Sequence, residues 1–186
     1  MKRLLVCTGL LAFAATTVFG QSAAPRKAPA SPPETATGSI GGHTITINYS
    51  SPRVNGREGK IFNKGGLIQT SHKQYPVWRA GANAATTLIT DANLKIGNID
   101  VPAGKYTLFV DISDPDHWVL IVNKKTGEWG LAYDATQDVG KTKMEMSKPP
   151  SMVEDLKYTR SSEGGNKGKM TLAWEKKEAS VPFEVQ

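Results

Sequence analysis

Length, composition and charge restrict the classes of protein to consider. The chain has 186 residues, a formal net charge of +6 at pH 7 and a single cysteine. Its lysines are scattered among acidic residues, and no stretch interleaves basic with aromatic side chains, so the pattern is typical of a solvated surface and does not favour nucleic-acid binding.

The beginning of the chain predicts export. Lys2 and Arg3 precede a run of uncharged, mostly apolar residues from 4 to 19, and Val18 and Gly20 occupy the small-residue positions that a signal peptidase recognises. We therefore predict a secretory signal peptide over residues 1–20. The run is shorter than the roughly 20 apolar residues of a membrane-spanning helix. The mature protein is predicted to be periplasmic or extracellular, without a transmembrane segment.

Removal of residues 1–20 has two consequences for the mature chain. Cys7 is lost, so no disulfide, thiol nucleophile or thiolate metal ligand is expected. Lys2 and Arg3 are lost too, which lowers the formal charge of +6 by two, to +4. Residues 21–38 consist largely of Ala, Pro, Ser and Thr, a composition that predicts a disordered tether. A single folded domain is expected over residues 39–186.

The predicted domain is a succession of short strands. From His43 to Tyr49, apolar and polar residues alternate with a period of two, as in a strand with one buried face. Gly97 and Asn98 separate two apolar-alternating arms and predict a tight hairpin. The run 117–123 is almost entirely apolar and predicts a central strand covered on both faces. The remaining strands are predicted within residues 85–90, 101–112, 139–147, 153–160, 169–176 and 180–185.

These elements predict an all-β fold. No apolar stripe with a period near 3.6 residues persists along the chain. Short strands separated by Gly and Pro turns favour an antiparallel β-sandwich, jelly-roll or immunoglobulin-like, over a barrel, since nothing in the sequence argues for closure. Pro182 lies in the last strand and predicts that this strand is at a sheet edge.

Two turns carry the candidate binding residues. Arg53 and Arg57 lie in a turn rich in Gly, Pro and Asn, and Trp78, Arg79 and Asn83 lie in the segment VWRAGANAATT among small residues. Arginine presents a planar set of donors that suits carboxylate, phosphate or sulfate groups. Asn83 can donate and accept, and Trp78 can stack on a ring. The sequence therefore predicts a site for a small anionic or sugar-like ligand.

A purely structural role explains the second turn equally well. In that case Arg79 donates to backbone carbonyls where two loops cross, Asn83 caps a turn and Trp78 fills the core. The sequence leaves both interpretations open.

Other polar residues give weaker signals. Asp111, Asp114 and Asp116 are close enough in sequence to hold Ca²⁺, but the segment lacks the glycine and distal glutamate of a calcium loop, and Asp-Pro is ordinary turn chemistry. The three histidines share no metal-ligand spacing, so each is expected at the surface or at a strand end. Trp118, Trp129 and Trp174 are expected in core or hairpin packing. No metal ion or cofactor is predicted.

Several segments together resemble a known family. YSSPRVNGREGKIF, VWRAGANAATT, VPAGKYTLFVD, WVLIVNKKTGEWG and LAWEKKEASVPFEV follow in this order, and the series resembles the bacterial exported domain of unknown function family 2911. The resemblance implies an exported, β-rich domain and supplies no established activity. The chain departs from it in a longer segment NKGGLIQTSHKQYP and in Ala84, where a glutamate often follows the asparagine.

Two functional hypotheses follow from these observations. The first is a non-catalytic exported domain that binds a small anionic or sugar-like ligand, or a partner in the cell envelope, through the two turns. The second is a hydrolase of envelope or extracellular material, in which an acid such as Glu58 or Asp111 lines the same cleft as Arg79 with a strongly shifted pKa.

Overall fold

Two antiparallel sheets form the protein. The computed structural model describes residues 29–127 and 129–186, and these fold as a β-sandwich with the apolar core between the sheets. The predicted all-β, antiparallel sandwich is confirmed. The predicted signal peptide, and the part of the predicted tether before residue 29, lie outside the described residues.

Strands account for most of the ordered backbone, and helical structure is brief. One five-residue helix, α1 (Leu67–Ser71), and one 3-10 turn (Ala135–Gln137) occur within the described ranges. No helix there is long and apolar enough to span a bilayer. The strands are β1 (Pro33–Ile40), β2 (His43–Ser50), β3 (Val77–Trp78), β4 (Thr86–Thr90), β5 (Leu94–Ile96), β6 (Ile99–Val101), β7 (Gly104–Asp111), β8 (Val119–Asn123), β9 (Asp138–Lys143), β10 (Glu145–Ser147), β11 (Val153–Gly164), β12 (Lys167–Glu175) and β13 (Lys177–Val185).

The first sheet has the order β1-β2-β4-β7-β8-β9, with the short strand β3 paired to the end of β7. Strand β8 lies between β7 and β9 and is covered on both faces, as its apolar run predicts. Trp78 pairs with Val110 near the end of β7, which is an interior strand of this sheet. This pairing fixes the position of β3 and of the turn that follows it.

The second sheet has the order β11-β12-β13-β5-β6, with β10 also paired to β13. The hairpin predicted at Gly97 and Asn98 is the β5–β6 connection. The prediction that the last strand is an edge is wrong, because β13 has neighbours on both sides. Along the same side of β13, pairing with β10 reaches only to Ser180, and pairing with β5 starts at Phe183. Pro182 is tolerated because it lies in the gap between these two neighbours.

The ordered domain begins earlier than the sequence predicts. Strand β1 starts at Pro33, inside the segment expected to be a tether up to residue 38, and pairs along its whole length with β2. Its residues are mostly small and polar, and Ile40 is its one fully buried side chain. Most side chains of this edge strand are exposed or half-buried, so it needs few apolar residues. The composition of β1 therefore gave little sign of a strand.

Four aromatic side chains pack together in the core. Trp78 lies nearly parallel to Trp174, with ring centroids 6.1 Å apart and planes 21° apart. Trp118 meets Trp78 edge to face at 6.1 Å. Phe62 packs against all three rings at 5.0–5.7 Å. This aromatic cluster (Phe62, Trp78, Trp118 and Trp174) joins the centre of the first sheet to β12 of the second, so it ties the two layers together.

Truncation in the aromatic cluster is expected to destabilise the fold. Trp78 is completely buried, and its Nε1 donates to the carbonyl of Gly81 at 3.1 Å. Trp78→Ala is expected to lower the free energy of unfolding by about 3–5 kcal/mol through lost packing and a cavity. Trp129, with 61% of its surface exposed, is the matched control. Trp129→Ala is expected to cost about 0.5 kcal/mol or less. Urea unfolding of both variants measures this, and equal losses would contradict it.

Candidate functional site

The turn with Arg53 is anchored to the second sheet. After β2 the chain pairs with the start of β11, where Val54 N donates to the carbonyl of Glu154 at 2.8 Å and Leu156 N donates to that of Pro52 at 2.9 Å. Arg53 lies between these bonds, and its Nε donates to Asp155 at 2.8 Å. This segment therefore crosses from one sheet to the other with a defined backbone.

The turn that follows β3 is held by buried hydrogen bonds around Ala80. This residue has a positive φ of 52°, and its carbonyl accepts from Tyr158 Oη at 3.0 Å and Thr86 Oγ1 at 3.1 Å. Gly81 is in close contact with β2, because a Cβ there would lie 3.1 Å from the carbonyl oxygen of Ser50. The small residues around Arg79 thus allow the turn to pack directly against neighbouring backbone.

The side chain of Arg79 is positioned by a second close approach. Gly130 lies against its aliphatic part, since a Cβ on Gly130 would be 2.1 Å from Arg79 Cδ. The Gly130 amide donates to the carbonyl of Asn83 at 3.3 Å, and Ala84 forms an isolated β-bridge with Trp129. Backbone pairing therefore presses the Gly130 turn onto the arginine and limits where its guanidinium group can lie.

Helix α1 and the residue after it supply a buried histidine. Ile68 anchors the helix in the core, and His72 follows the helix with only 6% of its surface exposed. The backbone amide of His72 donates to the carbonyl of Ile68 at 3.1 Å. Gln74 then ties the chain to the opposite loop through two bonds of 2.7 Å with the backbone of Tyr133.

These segments line a cavity of about 710 Å³ that is open to solvent on one side. Two turns, α1, strand β12 and the segment before β1 all contribute to its wall. Its polar and aromatic lining includes Arg53, Arg57, Ser71, His72, Arg79 and Trp174. No Asp or Glu from the described residues lines it. The lining is therefore positively charged.

Unpartnered polar atoms are concentrated at this cavity. Among the described residues, five buried side-chain nitrogen or oxygen atoms lack a hydrogen-bond partner. Four of them belong to residues of the cavity wall: Nε and Nη1 of Arg79, Nε2 of His72 and Nε1 of Trp174. Such orphaned groups are rare in folded proteins and each costs about 1–3 kcal/mol. Their clustering indicates a place built to be filled by a polar partner.

Burial and the charge of Arg79 shift the pKa values of the residues in the cavity wall. Removal from water lowers the pKa of Arg79, which still stays charged at neutral pH. The pKa of His72 is lowered to about 4 by burial and by the charge of Arg79, against the opposing effect of its hydrogen bond to the Ile68 carbonyl. His72 is therefore neutral near pH 7 and leaves the arginines as the only charges of the lining among the described residues.

The structure brings together three of the five residues predicted from the sequence. Arg53, Arg57 and Arg79 line the cavity. Arg57 also supports its own turn, since Nε donates to the carbonyl of Val54 at 3.0 Å and Nη2 to that of Arg53 at 2.6 Å. Arg79, in contrast, does not satisfy Nε or Nη1 with backbone carbonyls, which disagrees with the purely structural interpretation of this residue.

The other two predicted residues do not line the cavity. Trp78 is fully buried in the aromatic cluster, where a ligand cannot stack on it. Asn83 is exposed and donates to the carbonyl of Ser31 at 3.2 Å, so it fastens the segment before β1. The turn thus places Arg79 in the cavity wall and directs Trp78 and Asn83 elsewhere.

His72 and Trp174 also line the cavity, and neither was among the predicted site residues. His72 was expected at the surface or a strand end, but α1 carries it into the interior. No periodic pattern marks such a short helix. Trp174 was expected in packing, and it does pack on Trp78, but it also lines the cavity. The alternation of apolar and polar residues in β12 indicated that Trp174 is buried, but it gave no sign of a cavity.

The aspartates near residue 114 act as turn residues. Asp111 accepts from the Ser113 amide at 2.9 Å, and Asp114 accepts from the Asp116 amide at 2.9 Å and pairs with His117 at 2.8 Å. Within the described part of the chain, no group of three or more potential metal ligands is assembled. The structure thus adds no support for the calcium alternative.

The lowered pKa of His72 predicts a pH-dependent stability. The unfolded chain binds a proton near pH 6.5 and the folded chain only near pH 4, so the folded state becomes less stable as the pH falls between these values. A loss of about 2 kcal/mol is expected between about pH 7 and about pH 5. His72→Gln should remove this component, whereas His117→Gln, at an exposed position, should retain it. Urea unfolding at both pH values tests this, and equal pH dependence in all three proteins would contradict it.

Comparison with known proteins identifies a family and leaves the chemistry open. A search of curated proteins and a search of solved structures each returned no match. The family model described as Protein of unknown function (DUF2911) matches residues 31–183, which include both sheets and every described residue of the cavity wall beyond residue 30. The chain is therefore a member of the DUF2911 family.

Proposed function

We propose that this β-sandwich domain binds a small ligand carrying an anionic group, which is held by Arg79 in the cavity formed by the two turns, α1 and the end of β12. The observation that carries the proposal is the half-buried Arg79, whose Nε and Nη1 are buried and unpartnered in the wall of a cavity. Buried donors of a cation without partners are costly, and a bound anion satisfies the charge and the donors together.

The lining supports an anion rather than a cation. Three arginines contribute to the wall, and no carboxylate of the described residues competes with a ligand for Arg79. Arg53 is already paired with Asp155 and lies exposed, so it contributes to the rim. Trp174 supplies a further buried donor. Carboxylate and phosphate groups fit such a set of donors.

The size of the cavity supports a ligand larger than a bare ion. Its volume of about 710 Å³ lies within the roughly 300–1,000 Å³ typical of small-molecule sites. A monosaccharide acid or a short carboxylate-bearing fragment fits this range, whereas an inorganic anion leaves most of the space to water.

Binding is better supported than hydrolysis. The hydrolase hypothesis requires an acid such as Glu58 or Asp111 in the same cleft as Arg79, and neither residue lines the cavity. Glu58 is paired with Lys176, and Asp111 accepts from the Ser113 amide. The site combines a cation with hydrogen-bonding groups, which suits recognition of a charged ligand.

The place of action belongs to the same proposal. The charged and apolar pattern of residues 1–20 supports export to the periplasm or the cell exterior. Small anionic fragments of envelope carbohydrate are ligands of suitable chemistry there. Fractionation of cells that express the full chain, with detection of the processed form, tests this part separately.

Arg79 is expected to be required for binding. Isothermal titration of the protein with phosphate, citrate and glucuronate should detect binding of at least one of these probes. Arg79→Lys keeps the charge and loses the planar donors, so an affinity loss of about tenfold or more is expected. Arg160→Lys is the matched control, because Arg160 lies outside the cavity and donates to the carbonyl of Thr37.

Two results would contradict the proposal. One is the absence of binding of all three anions to the folded wild-type protein. The other is an equal loss of affinity in Arg79→Lys and Arg160→Lys, since this would show that Arg79 has no specific role. Circular dichroism and the unfolding midpoint verify that both variants are folded before titration.

A further inference from the structure

The tautomer of the neutral His72 ring is determined by the neighbours of Nδ1. Nδ1 lies 3.1 Å from the carbonyl oxygen of Ile68, which can only accept a hydrogen bond. Nδ1 also lies 3.2 Å from Ser71 Oγ, whose own proton is directed to the carbonyl of Leu67. Both contacts require the proton of the neutral ring to be on Nδ1. Nε2 therefore carries a lone pair.

This lone pair belongs to a residue of the cavity wall. Nε2 of His72 is buried and without a partner among the described residues, like the nitrogens of Arg79 and Trp174. Those nitrogens are donors, whereas Nε2 of the neutral ring is an acceptor. A ligand that satisfies the whole set must bring an anionic group for the donors and one donor for His72.

We propose that His72 Nε2 accepts a hydrogen bond from a hydroxyl group of the ligand, so that the cavity selects hydroxycarboxylates, such as uronic acids, over carboxylates without a hydroxyl. This inference rests on the proposed function, since it assigns the ligand class of the same site. A site built to hydrogen-bond a hydroxyl discriminates strongly against the analogue that lacks it, because its own polar group is then left buried and unpaired.

The charges around His72 favour the neutral ring. Among the described residues, Arg79, Arg53 and Arg57 are the charged side chains of the cavity wall, and α1 and β12 contribute only the uncharged Ser71 and Trp174 to its polar lining. Burial and the charge of Arg79 lower the pKa of His72 to about 4. The ring consequently accepts rather than donates at neutral pH.

A competing arrangement places an anionic oxygen of the ligand on Nε2. This oxygen has no proton to donate, so the ring must first take up a proton from solvent. Binding would then be accompanied by the uptake of one proton near neutral pH, because His72 is unprotonated in the free protein. The hydroxyl arrangement involves no proton uptake, so the two differ in a measurable quantity.

The test compares three probes of similar ring size by isothermal titration of the wild-type protein. Glucuronate has a carboxylate and hydroxyls, cyclohexanecarboxylate has the carboxylate alone, and methyl glucoside has hydroxyls without charge. Glucuronate is expected to bind about tenfold or more tightly than either of the others. Titration in two buffers of different ionisation enthalpy is expected to show no proton uptake.

Variants of His72 assign the selectivity to this side chain. His72→Phe keeps a ring and removes the acceptor, so the preference for glucuronate over cyclohexanecarboxylate should disappear. His72→Gln offers a carbonyl oxygen as acceptor and should restore part of it. The wild-type comparison and the proton count decide the inference even where a variant does not fold.

The outcomes separate this inference from the function on which it rests. Equal binding of glucuronate and cyclohexanecarboxylate overturns the inference and leaves the Arg79 site intact. Uptake of one proton on glucuronate binding also overturns it, in favour of an anionic oxygen on His72. Failure of both carboxylates to bind overturns the carboxylate site itself, and with it this inference.

Discussion

A half-buried arginine whose buried Nε and Nη1 lack hydrogen-bond partners is the constraint on which the site depends. Desolvation of a guanidinium group is unfavourable, and a protein retains it only where the surrounding structure enforces the position. Here the position is enforced by neighbouring backbone and by two side-chain hydroxyl groups. Gly130 presses on the side chain, and buried hydroxyl groups of Tyr158 and Thr86 hold the carbonyl of the adjacent Ala80. The arginine is thus prevented from turning back to satisfy itself within the fold.

The sandwich makes this arrangement possible because its two layers meet beneath the cavity. The stacked rings of Trp78 and Trp174 join the first sheet to the second, and Trp174 forms part of the cavity wall. The segment that carries Arg53 pairs with β11, so it crosses between the sheets close to the same place. Rigid strands therefore position a site that is largely made of turns, as is common in β-sandwiches.

Sequence patterns were most informative where a strand has one buried face or two. Alternation located β2 and the apolar run located β8. Strand β1 was missed because an edge strand that buries little looks like a linker, and Pro182 was misleading because interrupted neighbours can accommodate a proline in an interior strand. The small residues around Arg79 marked it as a candidate, and the structure places it in the cavity wall. The burial of His72 could not be predicted, because it results from a five-residue helix packed through Ile68.

The most direct measurement of the central claim is the ¹⁵N–¹H spectrum of the arginine side chains during titration with glucuronate. The Nε–H resonance of Arg79, assigned through Arg79→Lys, reports on its hydrogen-bond partner. The account predicts that this resonance shifts saturably on addition of glucuronate while that of Arg160 stays in place. An Arg79 resonance that is unchanged at millimolar glucuronate would contradict the account.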